Sequence, residues 1–331
     1  MNTGTLRVQA RWAAGRLEPL QVELQRPAVT SLFQGQPAAQ VQASVPLFYS
    51  LCSQAQGLAA GAALAAARGE ANWTPSPAST RALWQEALHE HLWRLLLDWP
   101  VALGLEAPRE AFAIWRKCRQ ADPASFAAAT RQLFERALGL DPGTGQPRPE
   151  GLAARCLSQL QHPLTLPARN DNALPDPAPW LANDQDPAAG LCGLEMETRD
   201  GANPHRIATP PGPGLAYARR LLQALEARQA LGTEQPYPLR SAASPDRRQG
   251  LGLTRTARGL LLHEALLEAG DRVGCYRIWA PTDRLFADAA PLTRLLQALA
   301  PEDAGATRRA LELAILALDP CVPYGIDWTE N

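Results

Sequence analysis

"LDPCVPYGID", residues 318–327, closes a helical run with an Asp-Pro-Cys turn. Taken alone, Cys321 is open to three readings: a small buried hydrophobe, half of a disulfide, or a metal ligand with partners elsewhere in the chain. Six cysteines (Cys52, Cys118, Cys156, Cys192, Cys275 and Cys321) are spread over 331 residues, and none forms a C-x-x-C pair. That spacing weighs against a zinc finger or an autonomous iron–sulfur motif. In a reducing compartment, isolated thiols of this kind are usually core residues. A metal role for Cys321 therefore needs support from other parts of the chain.

The bulk composition narrows the classes. Lys plus Arg number 32 against 33 Asp plus Glu, a net charge of −1. Surfaces for nucleic acid or anionic membranes usually need a clustered positive excess, so neither partner is expected. The N-terminal "MNTGTLRVQARW" has no hydrophobic segment and predicts no signal peptide. "GLAAGAALAAARG" reads as a short, weakly hydrophobic Ala-rich helix, too short to span a bilayer. A cytoplasmic protein without membrane insertion is expected.

The pattern along the chain is mainly α, an α+β class with small β elements. Residues 1–44 form a β-hairpin region, because 5–12 and 18–25 alternate apolar and polar around "AAGR". A helical body follows over 45–161, with apolar residues at three- and four-residue spacing in 45–69, 79–98, 108–119, 123–138 and 149–161. "SPAS" at 76–79 and "DPAS" at 122–125 look like helix starts, with Pro in the first turn. Residues 162–212, rich in Pro, Asn and Asp, read as an irregular excursion. The C-terminal part, 213–331, begins with a helix to about 231 and a Pro-containing loop to about 248. A Gly-rich loop then leads to a strand-like "RVGCYRIWAP" and to helices near 288–299 and 302–318. One domain accounts for the whole of 1–331.

Other features carry little chemistry. His89 and His91 flank Glu90, but helical residues two apart point about 200° away from one another and cannot both grip one ion. Trp84, Trp93 and Trp99 fall at helical spacing and read as core. "GLAAG" at 57–61 lacks phosphate-loop spacing, and no Ser-His-Asp or paired-carboxylate arrangement stands out.

Three stretches together resemble one family. "LFYSLCSQAQGLAA" (47–60) is similar to the R-x-C-G-x-C-x-x-x-H stretch of nickel–iron hydrogenase large subunits. "GLTRTARGLLLHEALLEAGDRVGCYRIWAPT" (252–282) resembles that family's E-A-P-R-G-x-x-x-H segment, with its following tyrosine and Pro-Thr. "LDPCVPYGID" resembles its D-P-C-x-x-C-x-x-H ending. The order and the locations match as well. The resemblance implies a large-subunit-like helical body.

The departures decide what kind of relative this is. Cys52 keeps the second cysteine of the first motif, while Tyr49 replaces the first, Leu47 the arginine and Gln56 the histidine. Cys321 keeps the first cysteine of the last motif, while Tyr324 replaces the second and Asp327 the histidine. In the large subunits four thiolates hold nickel, and two of them bridge to an iron carrying carbon monoxide and cyanide. Two thiolates leave nickel under-coordinated, so no nickel is expected. The family's R-x-E-G-H proton-transfer region has no clear counterpart in "LRVQARW", so hydrogen turnover is not expected and the chain reads as no enzyme.

An iron that already carries its diatomic ligands needs one or two thiolates and hydrogen bonds to the cyanides. The resemblance implies Cys52 and Cys321 as iron ligands, with Arg258, Thr282 and Pro281 around the cargo: Arg258 matches the family arginine beside one cyanide, and Thr282 a position that reaches the other. Without the resemblance, Arg258 reads as a helix-start arginine paired with a carboxylate, and Cys52 and Cys321 as buried thiols. His263 is expected to be a packed structural histidine, Cys275 a core residue, and Cys118, Cys156 and Cys192 plain buried thiols.

The pattern is similar to that of the HupK/HoxV-type hydrogenase maturation proteins. It implies a scaffold that holds the Fe(CN)2CO unit transiently before delivery. The implied partners are a small chaperone that carries the iron unit and the hydrogenase large-subunit precursor. The chain ends soon after Cys321, without the extension that hydrogenase precursors lose, as expected of a helper that never receives nickel. Two alternatives stay open: a hydrogenase-like or quinone-reductase-like subunit of a redox complex, and a protein-binding chaperone that holds no iron.

Overall fold

Alternation in "TLRVQARW" becomes strand β1 (Thr5–Ala13), which buries Leu6, Val8 and Ala10 and exposes the residues between them. Ala14 and Gly15 take φ of +50° and +74°, the left-handed pair required by a tight two-residue hairpin turn. The chain returns along the same edge of β1 as β2 (Arg16–Leu17) and β3 (Gln21–Gln25), both antiparallel. The other edge of β1 takes a strand that no local sequence pattern predicts. The C-terminal segment Tyr324–Glu330 runs parallel to β1, from Leu6↔Tyr324 to Trp12↔Glu330. The computed structural model describes residues 4–70, 73–164, 166, 174–182, 191 and 212–331.

The expected helix over 45–69 is divided. After α1 (Ala38–Ser44) comes a 3-10 turn at Val45–Phe48, and a break at 49–52 precedes α2 (Ser53–Ala67). Helix α3 (Pro77–Trp93) begins as read, with the Ser76 hydroxyl accepting from the Ser79 amide at 3.1 Å. Pro100 has no amide to offer the carbonyl of Leu96. There the helix widens into a π turn over Arg94–Asp98 before α4 (Trp99–Ala102). Next come α5 (Arg109–Lys117), α6 (Pro123–Gln132) capped by Asp122, α7 (Leu152–Gln159), α8 (Ala178–Ala182) and α9 (Pro213–Thr233). Trp84, Trp99, Trp115, Phe134 and Tyr217 fill the core between these helices, as the tryptophan spacing predicts.

The strand expected at "RVGCYRIWAP" is present, but the Pro-containing and Gly-rich stretches expected as loops before it are strands too, and together they form a four-stranded antiparallel meander. It comprises β4 (Leu239–Ser244), β5 (Gln249–Thr256), β6 (Gly259–Glu268) and β7 (Arg272–Trp279). The correction has a simple cause. A β-carbon on Gly250 would lie 2.2 Å from the carbonyl oxygen of Ala63, and one on Gly252 would lie 2.2 Å from that of Ala59. These glycines let the backbone of α2 settle directly on β5, which is why the facing helix is mostly alanine. The "weakly hydrophobic" helix is therefore central, with Ala59, Ala60, Ala63 and Leu64 fully buried. The opposite sheet face carries Leu251, Leu253, Leu260 and Leu262 against Leu174 and Leu191.

Two further expectations change. Cys275 is only half-buried, because β7 is an edge strand and Val273 and Tyr276 supply its core contacts. Cys118 ends α5 part-exposed, with its thiol 3.5 Å from the carbonyl of Ile114. Cys156 is fully buried, as expected. Cys192 and most of the 162–212 excursion lie outside the described residues.

The chain finishes with α10 (Pro281–Leu285), α11 (Ala290–Leu299), α12 (Ala304–Leu318) and the strand β8 (Tyr324–Glu330). Leu292, Leu295, Leu311 and Ile315 of α11 and α12 pack beneath Leu6 and Val8 of β1. Each fully buried Leu of this kind contributes roughly 1.5–3 kcal/mol relative to an exposed one. This packing brings the start of α2, the β5–β6 turn, the start of α10 and the end of α12 together.

Candidate functional site

Cys52 is the residue immediately before α2, and its thiol does not cap the helix. Glu86 of α3 does that instead, accepting from the amides of Gln54 at 2.7 Å and Ala55 at 3.1 Å. Burial pushes the Glu86 carboxyl up to about 7, even though these amides favour its charged form. The Cys52 thiol is therefore positioned from behind, by a carboxyl group on a neighbouring helix.

One turn along α2, Gln56 reaches back and its Nε2 lies 3.6 Å from Cys52 Sγ. Its Oε1 is 2.8 Å from His263 Nε2, and His263 Nδ1 is 2.7 Å from the Tyr276 hydroxyl. An amide oxygen only accepts, so His263 carries its proton on Nε2 and accepts from Tyr276 at Nδ1. Burial lowers the pKa of His263 to about 3 and keeps the ring neutral. The expectation of a packed histidine holds, and the packing forms an ordered chain from Tyr276 to the sulfur.

Cys321 is positioned differently. Helix α12 ends at Asp319 with φ +51°, a left-handed conformation that Asp tolerates, and Pro320 stops the helix from continuing. The Thr282 hydroxyl, at the start of α10, accepts the Cys321 amide at 3.0 Å and donates to Sγ at 3.1 Å. Pro281 occupies the first turn of α10, where its missing amide costs nothing, and sets the direction of Thr282. Arg26 supplies a third contact, with Nη2 2.6 Å from Sγ and Nε 2.9 Å from the carboxylate of Asp283. Burial opposes the Arg26 charge, but Cys321 and Asp283 outweigh it and raise its pKa.

Both thiols are free, and with Arg26, Tyr49, Ile278 and Asp283 they line one cavity of about 690 Å³. Burial and then the neighbouring Cys321 push the Cys52 thiol well above its ordinary pKa. Tyr49, at the first motif's missing cysteine, faces this cavity, whereas Leu47 is exposed. Tyr324 and Asp327, at the last motif's missing cysteine and histidine, leave with β8; Asp327 pairs with Arg7 at 3.4 Å.

Arg258 sits in the turn between β5 and β6, not at a helix start. Its Nη2 donates to Glu90 at 2.8 Å, and its Nε is 3.5 Å from Asp319. Asp319 also takes Arg94 at 2.6 Å and Arg220 at 2.5 Å, while Arg94 donates to the Pro320 carbonyl at 2.8 Å. Burial opposes the Asp319 charge, but these three guanidiniums hold its carboxyl well below the usual range. Burial likewise opposes the charge on Arg258, and Asp319, Glu90 and Cys321 together raise its pKa. The two histidines diverge as helical geometry requires: His91 is 3.3 Å from Arg220, while His89 meets Glu90 and stacks near Trp115.

The structure thus brings together four of the residues singled out in the sequence (Cys52, Thr282, Pro281 and Cys321) and sets Arg258 within electrostatic range of both sulfurs. It adds Arg26, Glu86 and Asp319. Asp319 was in plain view as the Asp of Asp-Pro-Cys; Arg26 and Glu86 carry no local signal. Among the described residues, no group of three or more His, Cys, Asp and Glu side chains is arranged to hold a metal ion. The site offers two thiols, cationic donors and a hydroxyl beside a cavity, a set suited to a soft metal that brings ligands of its own.

No family model matches the sequence. The hydrogenase expression/formation protein HupV of Azotobacter chroococcum mcd 1 is 33% identical, over 98% of this chain and 98% of its own length. The hydrogenase expression/formation protein HupK of Azotobacter vinelandii is 31% identical, over 98% of both chains. The reduced, active Ni-Fe-Se hydrogenase of Desulfomicrobium baculatum superposes with a TM-score of 0.56 at 10% identity, covering 94% of this chain and 95% of the other. The fold is that of nickel–iron hydrogenase large subunits.

Proposed function

The chain belongs to the HupK/HoxV-type family of hydrogenase expression/formation proteins, and from that premise we propose that it is a non-catalytic maturation scaffold. In this reading it holds the iron–dicyanide–carbonyl unit for delivery to a nickel–iron hydrogenase large subunit. The observation that carries the reading is the convergence of Cys52 and Cys321, distant in sequence, on one cavity. Two thiolates suit an iron whose remaining positions are already filled by strong ligands, and they are too few for a bare nickel ion.

The cationic and hydroxyl groups support the same cargo. Cyanide nitrogens bound to iron are anionic acceptors; Arg26 and Thr282 contact the Cys321 sulfur, and Arg258, itself paired with Glu90, lies within electrostatic range of both sulfurs. Two partners follow from this role: a small maturation chaperone that brings the iron unit and a large-subunit precursor that receives it. Among the described residues, no helix is long and apolar enough to cross a membrane.

The test is to purify the protein without oxygen from cells that express the maturation machinery, then record its infrared spectrum and metal content. Carbonyl and cyanide stretches, with iron and without stoichiometric nickel, are expected. A wild-type protein with neither set of bands would overturn the reading in favour of a chaperone that holds no iron.

A further inference from the structure

The two sulfurs at the cavity are served unequally. Cys321 Sγ receives a guanidinium at 2.6 Å from Arg26 and a hydroxyl at 3.1 Å from Thr282. Cys52 Sγ receives one neutral amide, from Gln56, at 3.6 Å. Hydrogen bonds to a thiolate draw electron density away from sulfur, and those from a charged donor draw most. A thiolate so engaged is a poorer donor to a metal, and it is better stabilised once the metal has gone.

We propose that Arg26 makes Cys321 the releasing ligand of the pair and leaves Cys52 as the anchor. The inference rests on the scaffold reading above. Arg26 keeps its place in either state, because Asp283 holds its Nε at 2.9 Å. Release is a ligand exchange. The iron–sulfur bond to Cys321 breaks with its electron pair passing to sulfur, where Arg26 and Thr282 stabilise the charge. A thiolate of the receiving protein takes the vacated position. Iron stays ferrous, and Arg26 keeps its proton throughout. Cys52 holds the cargo through this first exchange and gives it up in the second. The neutral chain Tyr276–His263–Gln56 keeps one weak donor on that anchor.

The test compares loaded wild type, Arg26→Met and Arg26→Lys, each challenged with excess dithiothreitol while the carbonyl band is followed by infrared spectroscopy. Arg26→Met is expected to keep its band several-fold longer, with the carbonyl stretch moved to lower wavenumber by the stronger sulfur donor. Arg26→Lys should fall between Arg26→Met and wild type. Asp283→Asn, which loosens Arg26 without removing it, should also move toward Arg26→Met. Cys321→Ala should retain weakened bands and Cys52→Ala none. Equal or faster loss from Arg26→Met, an unmoved carbonyl stretch, or failure of the folded variant to load would overturn the inference. Any of these with bands present in wild type leaves the scaffold reading standing; no bands in wild type defeats that reading itself.

Discussion

The carboxylate of Asp319, two residues before Cys321, lies 2.6 Å from Nε of Arg94 on the π turn that follows α3. Arg220 and Arg258 approach the same carboxylate. One buried anion thus fixes three cations from three separate elements, and it directs the Asp-Pro-Cys turn toward the cavity. Asp319→Asn keeps the shape and removes the charge. Taking one partner from a buried ion network costs about 3–5 kcal/mol, since the charges left behind stay desolvated. Urea denaturation should show a loss of that order. A loss below about 1 kcal/mol would mean that Glu90 and Asp98 suffice for the arginines.

Thr282 serves Cys321 twice, accepting from its amide and donating to its sulfur. Thr282→Val preserves the shape but leaves that amide without its partner, at a cost of about 1–3 kcal/mol. Thr282→Ser keeps the hydroxyl and should lose less. Thermal denaturation of the two variants checks the order, and a valine variant as stable as the serine one would show that the hydroxyl has no such role.

Much of this was legible in the sequence, and the remainder has physical reasons for being hidden. Helix starts at Ser76 and Asp122 were readable because a cap and a first-turn proline act locally. The strands β5 and β6 were not, because Gly250 and Gly252 look like loop residues until the helix lying on them is known. Strand β8 was hidden for a related reason: its partner is β1, at the far end of the chain. Resemblance to the large-subunit motifs pointed to Cys52 and Cys321. Arg26 and Glu86 reach the site across tertiary contacts that no local pattern records.

Gly252 gives the most direct test of the α2–sheet contact. Its added methyl would fall 2.2 Å from the Ala59 carbonyl and 2.7 Å from the Ala63 amide, both backbone atoms that cannot rotate away. Gly252→Ala should therefore cost at least the 1–3 kcal/mol typical of overpacking. Because Cys52 immediately precedes α2, the shift should also weaken the iron loading proposed above. A neutral effect on the urea midpoint would overturn the direct backbone contact between α2 and β5.

The pH dependence of stability should contain two buried contributions of opposite sign. Burial raises the Glu86 carboxyl from 4.5 to about 7, so the folded chain holds that proton longer than the unfolded chain does. Stability then falls as pH rises through this window, by about 3 kcal/mol at the limit. Burial lowers His263 from 6.5 to about 3, so there the unfolded chain binds the proton first. That contribution is present above 6.5 and is lost as pH falls toward 3, by about 5 kcal/mol at the limit. Between roughly pH 4.5 and 6.5 the two slopes oppose and nearly cancel. Glu86→Gln should become steadily more stable relative to wild type as pH rises across that range. His263→Gln should gain on wild type as pH falls. Urea denaturation at half-unit pH steps measures both differences. A Glu86→Gln curve parallel to wild type throughout would mean that the helix amides keep Glu86 ionised despite its burial.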